Sequence, residues 1–252
     1  MTQSEKIPWK RLAAEGAAIV VSILLAFWID AWWEQREERQ LLIGNLQALE
    51  KEIEANQRNI EQGRRLFTRV FESMDRVFAG LAEEDTEALP DDFLTDVGEI
   101  YLIWLSQITN SAYEVVLSPE SLRLIKSVEL RNHLVEANKQ ILGVDESRRR
   151  TWSEFLERHG PYLASLGIIS KLGWSEAQEE EVQSGILNPL PETPYATDPS
   201  VLRTREYWIS LEQWRVHYFD YVWEVLLLKQ TQETALELLR EEISVLTGEP
   251  AA

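Results

Sequence analysis

From Gly16 to Ile29 the chain carries no charged side chain, and neither proline nor glycine separates that run from a heptad-patterned stretch beginning at Leu42. Fourteen helical residues reach about 21 Å, short of the roughly 30 Å hydrocarbon core of a bilayer. By length alone the run would also suit a signal peptide or a buried helix. The flanks decide between these. Trp9 stands near one end and Trp28, Trp32 and Trp33 at the other. A helix from Trp9 to Trp33 covers about 36 Å, which suits two interfacial aromatic belts. Ile29-Asp30-Ala31-Trp32-Trp33 makes a poor cleavage site. The sequence therefore predicts an uncleaved single-pass transmembrane helix over residues 10–33, after a short tail over 1–9.

Lys6, Lys10 and Arg11 precede this segment, and Arg36 and Arg39 follow it. Three cations against two bias the N-terminus towards the cytoplasm. In a bacterial inner membrane the rest of the chain would then be periplasmic. Ala14, Ala18, Ser22, Ala26 and Asp30 recur at i+4 steps, a row of small residues that lets two helix backbones approach closely. Self-association through that row is the expectation, although Ala and Ser are also simply common in membrane helices. Glu15 and Asp30 are costly inside a bilayer. Their alternatives are interfacial solvation, an intersubunit hydrogen bond, or an ion path.

Beyond Trp33 a seven-residue frame places Leu46, Ile53, Ile60, Phe67, Met74 and Leu81 at a, and Leu42, Leu49, Asn56, Gly63, Val70 and Val77 at d. Such a seam predicts a coiled-coil stalk over 34–83, with Leu42, Leu46, Leu49, Ile53, Asn56 and Ile60 between subunits and Asn56 fixing register. Phe71 and Phe78 widen the stripe further on, and the alternative is one long bundle helix throughout. Helix formers dominate the composition, so the fold class is all-α: the anchor and stalk lead into an antiparallel helical bundle over 84–248. After an acidic turn at 83–92, Phe93, Val97, Ile100 and Leu102–Leu105 predict a core helix. Ser118-Pro119 and Ser127 read as helix starts. One helix is expected from Val128 to about Leu142, and another through Trp152 and Phe155 that stops near Gly160-Pro161. Gly and Pro punctuate 160–200 as an irregular segment with a short helix near Trp174. Asp198-Pro199-Ser200 opens a last long helix, rich in aromatic residues, to about Leu246.

Glu15-Gly16, Val20–Phe27 and Ile29–Trp33, followed by Glu34-Gln35-Arg36, resemble the opening of an uncharacterised bacterial single-pass membrane-protein family. Leu42, Leu46, Glu50 and Asn56 resemble its next helix. Ser111-Ala112-Tyr113-Glu114, with Leu122, Ile125, Leu130 and Leu134, resemble a middle element. The resemblance covers roughly residues 10–140. It implies a membrane anchor and supplies no chemistry.

No catalytic constellation stands out. His133, His159 and His217 lie far apart, without the i+4 pairing of a zinc site. They read as ordinary helix residues. GxGxxG, GxxxxGK[ST] and GxSxG are absent, and so is cysteine. The Asp145-Glu146 and Arg148–Arg150 cluster reads as a solvated helix face. No cofactor, metal or catalytic residue is expected. A net charge of −18 argues against nucleic acid and against clinging to anionic lipid by charge. The leading expectation is a non-enzymatic, membrane-anchored homo-oligomer acting as scaffold or as accessory subunit of a larger membrane complex, with the lipid bilayer as first partner. The alternatives are an oligomeric pore lined by Glu15, Ser22 and Asp30, and an extracytoplasmic sensor using the aromatic last helix.

Overall fold

No proline interrupts residues 9–82, and α1 runs unbroken from Trp9–Ala82 through Gly16, Gly44, Gly63 and Gly80, about 110 Å long. The computed structural model describes residues 9–82, 89, 92–103, 108–166 and 199–248, with the side chains of α1 described from Val20 onward. Every regular element among them is helical: α2 (Phe93–Glu99), α3 (Ser111–Val116), α4 (Pro119–Leu122), α5 (Val128–Glu154), α6 (Gly160–Ser165) and α7 (Arg205–Thr247). The acidic turn at 83–88, Trp104, Leu105 and the segment 167–198, with its expected helix near Trp174, lie outside the described residues.

Helix α7 packs along α1 in the opposite direction. Arg203 and Trp208, at its start, meet Gly80 and Phe78, and Tyr221 meets Phe67 midway. Arg240 then bridges Glu50 and Glu54 at 2.7 and 2.6 Å, and Arg39 donates to the Leu246 carbonyl at the far end. Helix α5 is antiparallel to α7 in turn. The Lys126 N–H before it bonds Glu242, and Phe155 after it faces Trp214. The result is a three-helix core from which the first part of α1 protrudes.

This packing corrects the expected intersubunit seam. The heptad frame holds, with Leu42 2% exposed and Leu46, Leu49, Ile53, Asn56 and Ile60 fully buried, and with Phe67, Val70, Met74 and Val77 continuing the row. Those side chains are already covered by their own chain. A period of seven specifies that a helix face is buried, but not whether the covering helices come from a second copy. The long-bundle-helix alternative describes residues 42–82.

Asn56 acts within the chain as well. Its side-chain amide pairs with both backbone groups of Thr109, Nδ2 donating to the carbonyl at 2.8 Å and Oδ1 accepting from the N–H at 3.0 Å. One turn earlier Glu52 accepts from the Ser111 hydroxyl at 2.7 Å and from the Ala112 N–H at 3.1 Å, binding orphan donors at the start of α3. Arg76 forks onto Asp96 at 3.0 Å and reaches Ser73, whose hydroxyl donates to Glu99, which fastens α2 to α1.

Several boundaries differ from expectation. Of the core segment expected at 93–105, the described residues through Ile103 are helical from Phe93 to Glu99. There the backbone tightens through Tyr101 N–H to Gly98 and Leu102 N–H to Glu99 bonds, leaving the Ile100 carbonyl to accept from Trp214 Nε1 at 2.7 Å. Helix α5 passes through Gly143, where the packing leaves open space, so one helix replaces the expected two. The last helix starts at Arg205, capped by the Thr204 hydroxyl, after a 3₁₀ turn at Pro199–Leu202. Ser118 and Ser127 cap α4 and α5 as expected, and Gly248 ends α7 with φ 79°, a left-handed conformation that suits glycine.

Candidate membrane interface

Helix α1 is exposed all round from Val20 to Glu37. Val20, Val21, Ile23, Leu24, Leu25, Phe27, Trp28, Ile29, Trp32 and Trp33 range from 41% to 67% exposed. A helix apolar on every side cannot satisfy itself in water by turning one face inwards, and contiguous apolar surface of this size marks an interaction site. Of the row expected to pack between anchors, Ser22, Ala26 and Asp30 lie on the exposed surface; Ala14, Ala18 and the neighbouring Glu15 have side chains outside the described residues. Among the described residues no helix is long and apolar enough to cross a membrane.

Where α1 enters the bundle, charged side chains replace apolar ones: Glu34, Arg36, Glu37, Glu38 and Arg39. The start of α5, the preceding loop and the end of α7 all converge there. Together with α1 they enclose a cleft of about 570 Å³ whose lining includes Arg36, Arg39, Arg123 and Lys126. The Arg36 guanidinium lies over the Trp32 ring, 5.6 Å from its centre. Arg39 caps the carbonyl end of α7 through Leu246, where a cation also complements the helix dipole. Arg123 pairs with Glu38.

A second polar cluster is sealed inside the far end of the bundle, and its cause is local. Gly160 N–H bonds Phe155 O, five residues back, so Phe155–His159 forms a π turn. A Cβ on Gly160 would meet that carbonyl at 3.2 Å, and Pro161 has no N–H with which to continue the α-helical ladder. The helix therefore does not stop at Gly160-Pro161; it widens by one residue and resumes as α6. This turn directs His159 into the core, where Nδ1 lies 3.2 Å from Tyr101 Oη and 3.1 Å from Ser210 Oγ. Two hydroxyls around one ring nitrogen suit a neutral imidazole bare at Nδ1. Burial holds its pKa down at about 4. At 2% exposure the ring is closed to substrate, and the cluster ties the α5–α6 junction to α7. His159 is thus a buried hub where an ordinary helix position was expected, and Gly160-Pro161 beside it was the available signal. His133 and His217 are half-buried helix residues.

The aromatic residues of α7 divide by face. Tyr207, Trp214, Tyr218 and Tyr221 are fully buried, while Phe219 and Trp223 are 55% and 58% exposed and stack on each other. With Val216, 58% exposed, they form an outward stripe at helical spacing. No group of three metal-binding side chains occurs among the described residues. Comparison with family models, curated proteins and solved structures finds no match.

Proposed function

We propose that the protein is a single-pass, membrane-anchored, non-enzymatic scaffold or accessory subunit that works as a homo-oligomer. Residues 10–33 lie in the bilayer and the three-helix bundle stands on one face of it. The observation that carries this is the all-round exposure of the apolar helix beyond the bundle. Val20–Ile29 accounts for about 15 Å of hydrocarbon, and the helix backbone continues back to Trp9, which extends the run through Gly16–Ile19. Trp28, Trp32 and Trp33 then occupy the interface nearest the bundle, and Asp30 is solvated among them. The lysine and arginine bias favours a cytoplasmic N-terminus and a periplasmic bundle in a bacterial inner membrane.

Because the heptad row is consumed within the chain, subunits meet elsewhere: through the Ala14-to-Asp30 row in the membrane, and through the Val216, Phe219 and Trp223 stripe on the bundle. Extraction with alkaline carbonate tests the anchor. The wild-type chain should stay in the membrane pellet, and a Leu24→Arg/Phe27→Arg variant should be released, since each cation at mid-membrane costs about 2.5–3.5 kcal/mol. Release of the wild type would overturn the proposal.

A further inference from the structure

We propose that the basic cleft at the base of the bundle holds the phosphate of an anionic phospholipid headgroup; this rests on the reading of residues 10–33 as the membrane span. The chain as a whole carries −18, yet the cleft is lined by four cations, Arg36, Arg39, Arg123 and Lys126, against the single carboxylate Glu38. Glu38 is engaged by Arg123, and Arg39 is largely occupied with the Leu246 carbonyl. Arg36 and Lys126 form no ion pair among the described residues, so two side-chain cations converge on the cleft without a carboxylate to neutralise them. A cleft of about 570 Å³ has room for a phosphodiester and its glycerol.

Depth favours a lipid over a free anion. Arg36 is three residues past Trp33, or about 4.5 Å along the helix. With Trp32 and Trp33 in the aromatic belt, that step carries the guanidinium into the headgroup layer, which adds about 5–7 Å to each side of the hydrocarbon core. The wall is amphipathic to match: Trp32, Leu124 and Val245 share the cleft with the cations. An apolar wall contributes nothing to inorganic phosphate but accommodates the glycerol and first methylenes of a lipid. An acidic bundle repels an anionic membrane in bulk, so the recognition is confined to this one basic notch.

The experiment is native mass spectrometry of the full chain, released from detergent micelles containing equal amounts of phosphatidylglycerol and phosphatidylcholine. Wild type should retain phosphatidylglycerol preferentially. Arg36→Gln/Lys126→Gln should lower that preference by about fivefold for each cation removed. Lys51→Gln/Arg65→Gln, an equal charge change on exposed positions outside the cleft, should leave it intact. Equal retention of the two lipids by wild type would overturn the inference, as would equal losses in the two double variants. Full displacement of phosphatidylglycerol by excess inorganic phosphate would assign the cleft to a free anion and overturn the lipid assignment. Carbonate extraction separates the two claims: a chain released by carbonate that keeps its headgroup preference would sink the span and leave the cleft standing.

Discussion

Asn56 and His159 are polar side chains whose work is inside the chain, and each makes a distinct prediction. Asn56 satisfies both the N–H and the C=O of Thr109, so Asn56→Leu would strand two backbone groups. It should cost about 1–3 kcal/mol per stranded group in urea unfolding. In an intersubunit coiled coil the same change would instead stabilise the assembly or alter its oligomeric state, so stabilisation would contradict the docking role. His159 has a folded-state pKa of about 4, below its ordinary value of 6.5. Between those values the unfolded chain binds more protons than the folded one, so stability falls as pH drops through that window and is fully present above it. The loss attributable to His159 is up to about 3 kcal/mol. Carboxylates titrate in the same range, so the quantity to measure is the difference between wild type and His159→Gln, whose unfolding free energy should lose less between about pH 7 and pH 4. Parallel pH profiles would contradict the buried-neutral assignment.

At the scale of elements, glycines separate what sequence can and cannot announce. Gly143 and Gly160 look alike as helix punctuation, yet the first sits in open space inside α5 while the second lies against the Phe155 carbonyl. Gly143→Ala should therefore stabilise the protein by about 0.5–1 kcal/mol through helix propensity. Gly160→Ala should gain less or destabilise, because the Phe155 carbonyl must move. Thermal melts that rank the two alike would contradict the π-turn account. The heptad row was legible from Leu42 to Val77 because burial of one face imposes its own period on a helix. The identity of the covering partner was not legible, since a self-copy and α7 ask the same of those positions. Caps at Ser118 and Ser127 were legible because their chemistry is local. The Thr109 clamp and the convergence of Arg36 with Lys126 depend on contacts between distant segments, and no local pattern records them. The continuation of α5 past Gly143 was missed because packing against α7 overrides one weak helix former.

At the scale of the molecule, the chain resembles a peg: a helix of about 110 Å whose upper half is one member of a three-helix bundle and whose lower part protrudes, with mostly apolar side chains exposed from Val20 to Trp33. Its surface varies in the same order, from apolar helix through a basic notch to an acidic bundle. Assembly of the proposed homo-oligomer would then depend on what the bundle leaves uncovered. Phe219→Ser/Trp223→Ser should lower the oligomer mass measured by light scattering in mild detergent while leaving the helical signal unchanged, because both side chains point out of the core. An unchanged mass would place the subunit contact elsewhere.

If residues 10–33 form the proposed anchor, α1 changes solvent along its length, from lipid below to the chain's own core above. The chain contains no cysteine, so single cysteines at Val21, Leu24 and Phe27, and at Leu46 and Ile53, can each carry a nitroxide in liposomes. The first three should be open to oxygen and closed to a water-soluble nickel reagent, as lipid-facing sites are, whereas the last two should be closed to both. Access of the nickel reagent to Val21, Leu24 and Phe27 would contradict the account.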